Sequence, residues 1–348
     1  MTQPLRVGVF GAGAIGGYLG LRLAAGGADV VLHGRQWLAD VADELCAFDL
    51  EGKRFAPKLR VVTDPSALAE VDVCLVTVKS AQTHAAAEEL KRVLPPGTLV
   101  VSFQNGMRNA ERLRQVLRAQ TVVPAMVSFN VVIEEDKRFR QATSGPLSAG
   151  RVLGSGLFTL ERLEACFGRG GLPLELHHDI GNVQAGKLLV NLNNGVSAAV
   201  GMTIKDAVSN RDIRRCFAAC VSEGLDVFRR TGLRPAKVVA LPPAIIVKAL
   251  PLPDAVFLRI AKPLVTIDPR AKSSTLQDLE RGRRTEIDDL NGEVVERAKS
   301  AGLAAPANQV IADVIHELEQ AAVAERELPF LTPAELWRRI SSAIARSN

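Results

Sequence analysis

Three polar side chains recur at helical spacing in a segment of the sequence that is otherwise apolar. Asn191 and Asn194 follow Lys187 by four and seven residues, in the run KLLVNLNN. At about 100° per residue, these three side chains lie on the same face of a helix. Buried amides require hydrogen-bond partners, and a polar ligand would supply them; the alternative is a polar seam against other helices. The spacing therefore predicts a ligand-binding face that carries one positive charge.

A glycine-rich loop is the second feature whose residue types and spacing suit binding chemistry. It follows the first predicted strand directly, at the point where a helix begins. Gly11 permits a tight turn, Gly13 lets the backbone approach a pyrophosphate, and Gly16 lets the helix pack closely on the strand. The diphosphate would then meet the N–H groups at the helix N-terminus, whereas the alternative is an ordinary glycine-rich turn. The candidate cofactor contacts in this loop are Gly11, Ala12, Gly13, Ala14, Ile15 and Gly16.

The end of the second predicted strand indicates which dinucleotide binds. NAD enzymes usually place Asp or Glu there to bind the ribose 2′-hydroxyl, but this sequence reads His33-Gly34-Arg35 after the strand from Asp29 to Leu32. A guanidinium forms bidentate hydrogen bonds with a phosphate. Arg35 therefore predicts NADPH, and a solvated arginine on a loop is the alternative.

Two further polar clusters follow predicted strands, at the sheet edge where open α/β sheets bind their ligands. They are the segment from Thr77 to Gln82, which includes Lys79, and the segment from Phe103 to Gly106, which includes Asn105. Either segment also suits an ordinary turn with a helix cap.

The elements that must position these residues differ between the two halves of the chain. Short Val-rich runs alternate with helical patterns up to about His178, whereas the later segments show helical spacing alone. The predicted fold class is α/β plus all-α: an N-terminal Rossmann-like, doubly wound parallel sheet followed by a helical C-terminal domain. We expect residues 1–178 to form the nucleotide-binding domain and residues 179–348 to form a separate helical domain. Looser β structure is expected at 48–62 and 131–153, and seven prolines interrupt the helices at 235–269.

Composition limits the classes of function. Only 4% of the 348 residues are aromatic, too few for a surface that stacks on single-stranded nucleic acid. The net charge of +5 comes from basic residues mixed with acids, which favours a small anionic ligand over DNA. Five cysteines without CxxC spacing predict neither a disulfide framework nor a metal site, and they fit a reducing cytoplasm. Charges and prolines interrupt the apolar stretch from Ala244 to Val265, so no membrane span is expected.

Motifs along both halves give the sequence a specific resemblance. They are GAGAIGG from Gly11, HGR ending at Arg35, TVKSAQ around Lys79 and Gln82, QNG around Asn105, KLLVN from Lys187, SSTLQD from Ser273 and TEIDDLNG from Thr285. In these motifs the sequence resembles the ketopantoate reductase (2-dehydropantoate 2-reductase) family. The resemblance implies NADPH-dependent reduction of 2-dehydropantoate to (R)-pantoate, a step in pantothenate and coenzyme A synthesis.

The resemblance also implies a role for each matching residue. Lys187 matches the acid that protonates the ketone oxygen, and Glu286 orients Lys187 or binds a substrate hydroxyl. Asn105 holds the carboxamide end of the cofactor or the substrate, while Lys79 and Gln82 line the cofactor site. The implied substrate contacts are Asn105, Lys187, Asn191, Asn194 and Ser274.

Ser274 and Glu286 can act together only if the chain bends between them. In one straight helix they would lie about 18 Å apart along the axis and about 120° around it. Ser274 with Gln277 reads as a capping box and Thr285 with Asp288 as a variant of one, which predicts two helices with a bend at 281–284. Glu286 would then lie in a first helical turn, where the helix dipole favours it in any case. On this interpretation Ser274 could be a cap alone.

Two departures from the family pattern leave other functions open. The family usually carries a second Asn eight residues after the lysine, and this sequence has Gly195 there. The proline-rich segment at 235–269 is also longer than the family usually has. The alternatives are reduction of another 2-oxo acid, a 3-hydroxyacid dehydrogenase of the 6-phosphogluconate type, and an NADP-binding sensor without turnover.

Overall fold

The structure is a computed structural model that describes residues 3–135, 137–154, 156–237, 243–261 and 270–347. The chain forms two compact units, Met1–Ile180 and Gly181–Asn348.

The first unit alternates strands and helices. Its strands in chain order are β1 Arg6–Phe10, β2 Asp29–His33, β3 Ala47–Phe48, β4 Arg54–Phe55, β5 Arg60–Val62, β6 Val73–Val76, β7 Leu99–Ser102, β8 Thr121–Val127, β9 Val131–Ile133, β10 Phe139–Gln141, β11 Leu147–Gly150 and β12 Leu174–His177. Its helices are α1 Ala14–Ala25, α2 Gln36–Asp40, α3 Thr83–Val93, α4 Asn109–Val116 and α5 Gly156–Arg169.

Eight of these strands form one sheet in the order β12-β11-β8-β7-β6-β1-β2-β5. All neighbours are parallel except β8 and β11, which are antiparallel. The chain builds outward from β1 in one direction to β2 and β5, and in the other direction to β6, β7 and β8. The order therefore reverses at β1 and β6, which is where doubly wound sheets bind dinucleotides.

The Val-rich strands are buried on both faces. In β6, Val73 and Leu75 belong to the apolar core on one side of the sheet, whereas Cys74 and Val76 belong to the core on the other side. Successive side chains of a strand point to opposite faces, so a strand covered on both sides must be apolar throughout.

A smaller four-stranded sheet, in the order β4-β3-β10-β9, packs on α1. A Cβ atom at Gly17 of α1 would lie 2.3 Å from Phe139 Cε1 of β10, so the absence of a side chain permits this packing. These four strands confirm the looser β structure predicted from the sequence. The expectation was wrong for Arg60–Val62 and Leu147–Gly150, because β5 pairs with β2, and β11 pairs with β8 and β12, in the main sheet.

A buried arginine connects α1 to the end of α5. Arg22 Nε donates to Gly170 O at 2.8 Å, Nη2 donates to Gly171 O at 2.5 Å, and Nη1 donates to the hydroxyl of Tyr18. The guanidinium also lies 3.9 Å from the centre of the Phe55 ring. The C-terminal carbonyls of a helix carry partial negative charge, so they stabilise this cation without a carboxylate.

The described residues of the second unit form helices joined by loops, with no strand. Its helices are α6 Ile180–Ala198, α7 Ile204–Ser209, α8 Arg211–Arg230, α9 Pro243–Ala249, α10 Asp254–Ala261, α11 Ser274–Glu280, α12 Asn291–Ser300, α13 Pro306–Val323 and α14 Pro333–Ser347. The predicted fold class, a doubly wound sheet followed by helices, is confirmed. Among the helices in the described ranges, none is long and apolar enough to cross a membrane.

The proline-rich segment is anchored to α8 by a buried arginine. Arg214 Nε donates to Leu250 O at 2.9 Å, and Nη2 donates to Asp254 Oδ1 at 2.6 Å. Its guanidinium also lies 4.2 Å from the ring centre of Phe257 in α10. The prolines therefore separate two short helices, α9 and α10, that are fixed to the bundle; 238–242 and 262–269 lie outside the described residues.

Candidate functional site

The glycine loop between β1 and α1 has the conformation that a dinucleotide loop requires. Gly11 has a φ of +90°, and a Cβ atom there would lie 2.4 Å from Val78 Cγ1. A Cβ at Gly16 would lie 2.3 Å from Thr77 Oγ1. At Gly13, by contrast, the nearest atom would be 4.0 Å away. Gly11 and Gly16 thus permit close packing, whereas Gly13 leaves its outer side open for a ligand.

The N-terminus of α1 is suited to an anion. Ala14, Ile15 and Gly16 are its first three residues, so their N–H groups have no carbonyl partner within the helix. The first turn contains no acidic residue, and no side chain caps it. Ala12 is buried and donates its N–H to His33 O at 2.9 Å, which fixes the loop against the end of β2. Partial positive charge at this helix end and the open side of Gly13 fit a pyrophosphate.

The structure brings the two polar clusters after β6 and β7 together. Thr77 Oγ1 donates to Gly11 O at 2.8 Å, which ties the first cluster to the glycine loop. Gln104 Nε2 donates to Val78 O at 3.0 Å, which ties the second cluster to the first. Lys79, Gln82 and Asn105, the residues predicted from these clusters, are all exposed at this edge of the sheet.

Asn109 is a positioning residue that the sequence analysis missed. Its Nδ2 donates to Asn105 O at 2.6 Å and to Ser80 Oγ at 2.8 Å, while its Oδ1 accepts from Thr83 Oγ1 at 3.0 Å. Asn109 is 2% exposed and begins α4. The sequence does show an asparagine at the start of a predicted helix. The residues around it in the sequence do not show which side chains of the loop after β6 it contacts.

Arg35 lies just beyond β2 and precedes α2. It is exposed, and its guanidinium contacts no carboxylate among the described residues. The nearest acid along the chain, Asp40, accepts from Gln36 Nε2 at 2.8 Å. Residues 33–35 at the end of β2 therefore carry an exposed positive charge and no carboxylate; the nearest acid on the neighbouring strand's loop, Asp64, interacts with His33 and accepts from Ser66 N at 2.9 Å.

In the second unit, α6 carries the predicted polar face. Lys187, Asn191 and Asn194 are half-buried, whereas Leu188 and Leu192 between them are fully buried. Burial lowers the pKa of the Lys187 ammonium, because desolvation disfavours the charged form. A lysine with a lowered pKa releases its proton more readily than one in water, which suits an acid in proton transfer.

Ser273, rather than Ser274, caps α11. Ser273 Oγ accepts from Leu276 N at 3.3 Å and donates to Asn194 O at 3.1 Å. The predicted capping box at Ser274 and Gln277 is therefore wrong, because the bond to α6 selects the earlier serine. Ser274 is exposed as the first residue of α11, next to the contact with Asn194.

Glu286 lies outside any α-helix. It precedes a short 3-10 helix, Ile287–Asp289, and α12 begins only at Asn291. The bend predicted at 281–284 is present, since α11 ends at Glu280. The expected first helical turn at Glu286 is wrong, because Leu290, with φ −112° and ψ −97°, interrupts the helix. Glu286 is half-buried, and its position does not follow from an α-helix dipole.

Gly195 brings the Glu286 segment against α6. A Cβ atom at Gly195 would lie 2.7 Å from Asn291 Oδ1 and 2.9 Å from Ile287 Cδ1. The space that a side chain would need is filled by Asn291 and Ile287, which follow Glu286, and by Ile311 of α13. The N-terminus of α11 and this segment therefore both contact α6 at Asn194 and Gly195, which places Ser274 and Glu286 at the end of the polar face.

The five cysteines are free and buried, and burial raises the pKa of the Cys74 and Cys216 thiols to about 12. Within the described ranges no group of three or more His, Cys, Asp or Glu side chains could hold a metal ion.

A doubly wound sheet with a glycine loop, joined to a helical unit with a half-buried lysine, is typical of a nucleotide-dependent oxidoreductase. Two family models match the chain: Ketopantoate reductase PanE/ApbA over residues 7–154, and Ketopantoate reductase PanE/ApbA C terminal over residues 179–319. The protein belongs to the ketopantoate reductase family of oxidoreductases, and the resemblance seen in the sequence is confirmed.

Individual relatives span nearly the same length. A 2-dehydropantoate 2-reductase of Halobacterium salinarum is 29% identical over 317 residues, which are 89% of this chain and 98% of the relative. The structure of a PanE/ApbA family ketopantoate reductase from Ralstonia eutropha JMP134 is 30% identical, with a TM-score of 0.78 over 92% of this chain and 100% of that one. A D-mandelate dehydrogenase solved with NADH and anilino(oxo)acetate shares the fold, at 20% identity and a TM-score of 0.74 over 92% and 99% of the two chains.

Proposed function

We propose that the protein reduces 2-dehydropantoate to (R)-pantoate with NADPH, as a step of pantothenate and coenzyme A synthesis. The observation that carries this proposal is Lys187, a half-buried ammonium with a lowered pKa on a face shared with Asn191 and Asn194. Family relatives named 2-dehydropantoate 2-reductase support the choice of substrate.

The chain supplies the proton and the electrostatic stabilisation of the reaction. The cofactor, when bound, supplies the hydride to the ketone carbon. Lys187 Nζ donates a proton to the ketone oxygen, and its positive charge stabilises the negative charge that develops there. Asn191, Asn194 and Ser274 are the proposed substrate contacts in this unit, and Glu286 orients Lys187 or accepts from a substrate hydroxyl.

The first unit is proposed to bind the cofactor, with residues 1–178 as the NADP domain. The glycine loop and the start of α1 would hold the pyrophosphate, and Arg35 would bind the 2′-phosphate. Lys79 and Gln82 would line the same edge, and Asn105 would hold the carboxamide end or the substrate. Residues 179–348 would bind the substrate and carry any homodimer contact; that assembly and a cytoplasmic location remain predictions.

Substituting Arg35 tests the choice of cofactor. Arg35→Ala should weaken NADPH binding about 10- to 100-fold, since a charge-assisted bidentate contact is lost, and should leave NADH binding nearly unchanged. Titration of each cofactor by its fluorescence measures the dissociation constants. Arg60→Ala is the matched control, because Arg60 is exposed and begins the neighbouring strand β5. Equal losses for NADPH and NADH would show that Arg35 does not recognise the 2′-phosphate.

The activity itself is tested by NADPH oxidation at 340 nm over a panel of 2-oxo acids. The second candidate function, reduction of another 2-oxo acid, rests on Gly195, since this chain lacks the polar side chain that the family usually has there, and packing against Asn291 leaves no room for one. The panel therefore includes the 2-oxo acid that corresponds to mandelate. The proposal requires the highest kcat/KM for 2-dehydropantoate, whereas clear preference for another acid favours the second candidate. Activity on 3-hydroxy acids alone, or no turnover at all, would overturn both.

A further inference from the structure

The carboxylate of a 2-oxo acid has no cationic partner among the proposed substrate contacts. Lys187 is assigned to the ketone oxygen, Glu286 is itself an acid, and Asn105, Asn191, Asn194 and Ser274 are neutral. Proteins commonly bind a carboxylate through the two parallel N–H donors of an arginine. A substrate of this class therefore calls for an arginine at the place where its carbon skeleton meets the cofactor.

Strand order indicates which loops of the first unit are nearest that place. The proposed 2′-phosphate contact, Arg35, follows β2, and the pyrophosphate loop follows β1. The next strands in the sheet on the other side of β1 are β6 and then β7. A dinucleotide that extends across this edge from β2 through β1 directs its reacting end toward the loops after β6 and β7.

Two cations occur in the loops that follow β6, β7 and β8, all of which the structure describes. Lys79 follows β6, is exposed and lies beside the pyrophosphate loop. Arg108 follows β7, one strand further from Arg35 and three residues beyond Asn105. Arg108 is half-buried, and its Nε is shielded from solvent. By position, Lys79 suits the cofactor phosphates, whereas Arg108 suits the substrate.

The loop that carries Arg108 is held in a fixed shape. Asn109, the residue directly after Arg108, donates from its Nδ2 to Asn105 O at 2.6 Å and to Ser80 Oγ at 2.8 Å. Arg112 Nη1 donates to Asn109 Oδ1 at 3.0 Å, and Gly106 turns the backbone with a φ of +82°. The backbone that carries Arg108 is therefore preorganised, so binding an anion there requires ordering of the side chain but not of the loop.

We propose that Arg108 binds the carboxylate of the 2-oxo acid and selects acids over uncharged ketones. This assignment rests on the proposed function, since it gives the substrate carboxylate its partner. It adds a residue that determines substrate specificity to that function. In the sequence, Arg108 lies two residues after the QNG motif.

Binding of an unreactive carboxylate tests the proposal without turnover. Oxamate has the shape of a small 2-oxo acid, and its affinity for the full chain saturated with NADP⁺ can be measured by calorimetry. Arg108→Gln should weaken oxamate binding about 10- to 100-fold, since a hydrogen-bonded charge pair is lost. Arg118→Gln is the matched control, because Arg118 is exposed and its side chain donates to a backbone carbonyl of its own turn, Gln115 O, at 3.3 Å. The control should change oxamate affinity less than twofold, and neither variant should change NADP⁺ affinity.

Kinetics with a charged and an uncharged substrate complete the test. The ratio of kcat/KM for a 2-oxo acid to that for its amide should fall about 10- to 100-fold in Arg108→Gln, because only the acid loses a partner. Arg108→Lys keeps the charge without the bidentate geometry, so its ratio should lie between those of the wild type and Arg108→Gln. It also provides a second variant should Arg108→Gln fail to fold.

The two proposals fail in different ways. Equal oxamate affinity in the wild type and Arg108→Gln, or no oxamate binding by the wild type, overturns the role of Arg108. Absence of NADPH oxidation by the wild type with every 2-oxo acid overturns the proposed function, and the oxamate titration still decides the role of Arg108.

Discussion

Replacing Lys187 by alanine is expected to lower kcat for 2-oxo acid reduction by about 10² to 10⁴, because a positioned general acid contributes that much to proton transfer. The ammonium is half-buried and its pKa is lowered by desolvation, so it donates a proton from a site with restricted access to water. Steady-state kinetics at saturating NADPH give kcat, and single-turnover oxidation at 340 nm separates chemistry from product release.

The control for this variant is Lys299→Ala. Lys299 is exposed in the last turn of α12, so removing it changes the same charge in the same unit and should leave kcat within twofold. The affinity of both variants for NADPH should match the wild type. A kcat for Lys187→Ala within threefold of the wild type would remove Lys187 from proton transfer.

The pH profile carries a further signature of Lys187. Because burial lowers its pKa, the ammonium loses its proton below the ordinary lysine value of about 10.4. Reduction requires the protonated form, so kcat should be highest below that lowered pKa and fall as pH rises through it. The reverse oxidation requires the neutral amine and should rise over the same range. An alkaline limb that persists unchanged in Lys187→Ala would contradict the assignment.

Replacing Arg22 by methionine is expected to lower the free energy of unfolding of the first unit by about 3 to 5 kcal/mol. The side chain is 1% exposed and donates to Gly170 O, Gly171 O and the Tyr18 hydroxyl. Methionine fills much of the volume but leaves these acceptors without a donor, at a cost of about 1 to 3 kcal/mol for each fully buried one. Urea unfolding in a Trp337→Phe background, whose remaining tryptophan is Trp37 of the first unit, measures the change.

Arg92→Met is the matched control for Arg22. Arg92 is exposed in the last turn of α3, so its loss should change the unfolding free energy by less than about 0.5 kcal/mol. Tyr18→Phe, which removes one acceptor and its bond to Gln141, should cost about 1 kcal/mol. A loss below about 1 kcal/mol for Arg22→Met would show that water replaces the guanidinium.

The contribution of the Tyr18 hydroxyl to the free energy of unfolding is expected to depend on pH. Burial raises the pKa of Tyr18 to about 12, above its ordinary value of about 10. A group whose pKa is raised on folding contributes full stability below its unfolded pKa. The contribution of Tyr18 should therefore be constant below about pH 10 and be lost as pH rises toward 12. Urea titrations of wild type and Tyr18→Phe at pH 8 and 11 measure this difference.

The local sequence pattern was sufficient to predict the strands that are buried on both faces. The Val-rich runs of β1, β2, β6, β7 and β8 are apolar because both faces are covered, and their flanking turns mark their ends. The segment Leu147–Gly150 lacked such a signal, since Leu-Ser-Ala-Gly is short and contains small residues. It joins the main sheet only by pairing with β8 and β12, which are remote from it in sequence.

Caps and turns show the limit of local rules most clearly. Ser273 and Ser274 are identical and adjacent, and the capping-box spacing favours the second through Gln277. The first serine forms the cap because its hydroxyl also bonds Asn194 O, 79 residues away in sequence. The 3-10 turn after Glu286 likewise could not be distinguished from an α-helix by residue type alone.

By itself the sequence determined the fold class, the family and the identity of most candidate residues, because these depend on periodicity and on motifs only a few residues long. The tertiary structure alone decided which of those residues meet. It tied Thr77 to Gly11, fixed the Asn105 loop through Asn109, and filled the space at Gly195 with Asn291. Such contacts join positions that are far apart in the chain, and they are set by packing and by the hydrogen bonds that buried polar groups require.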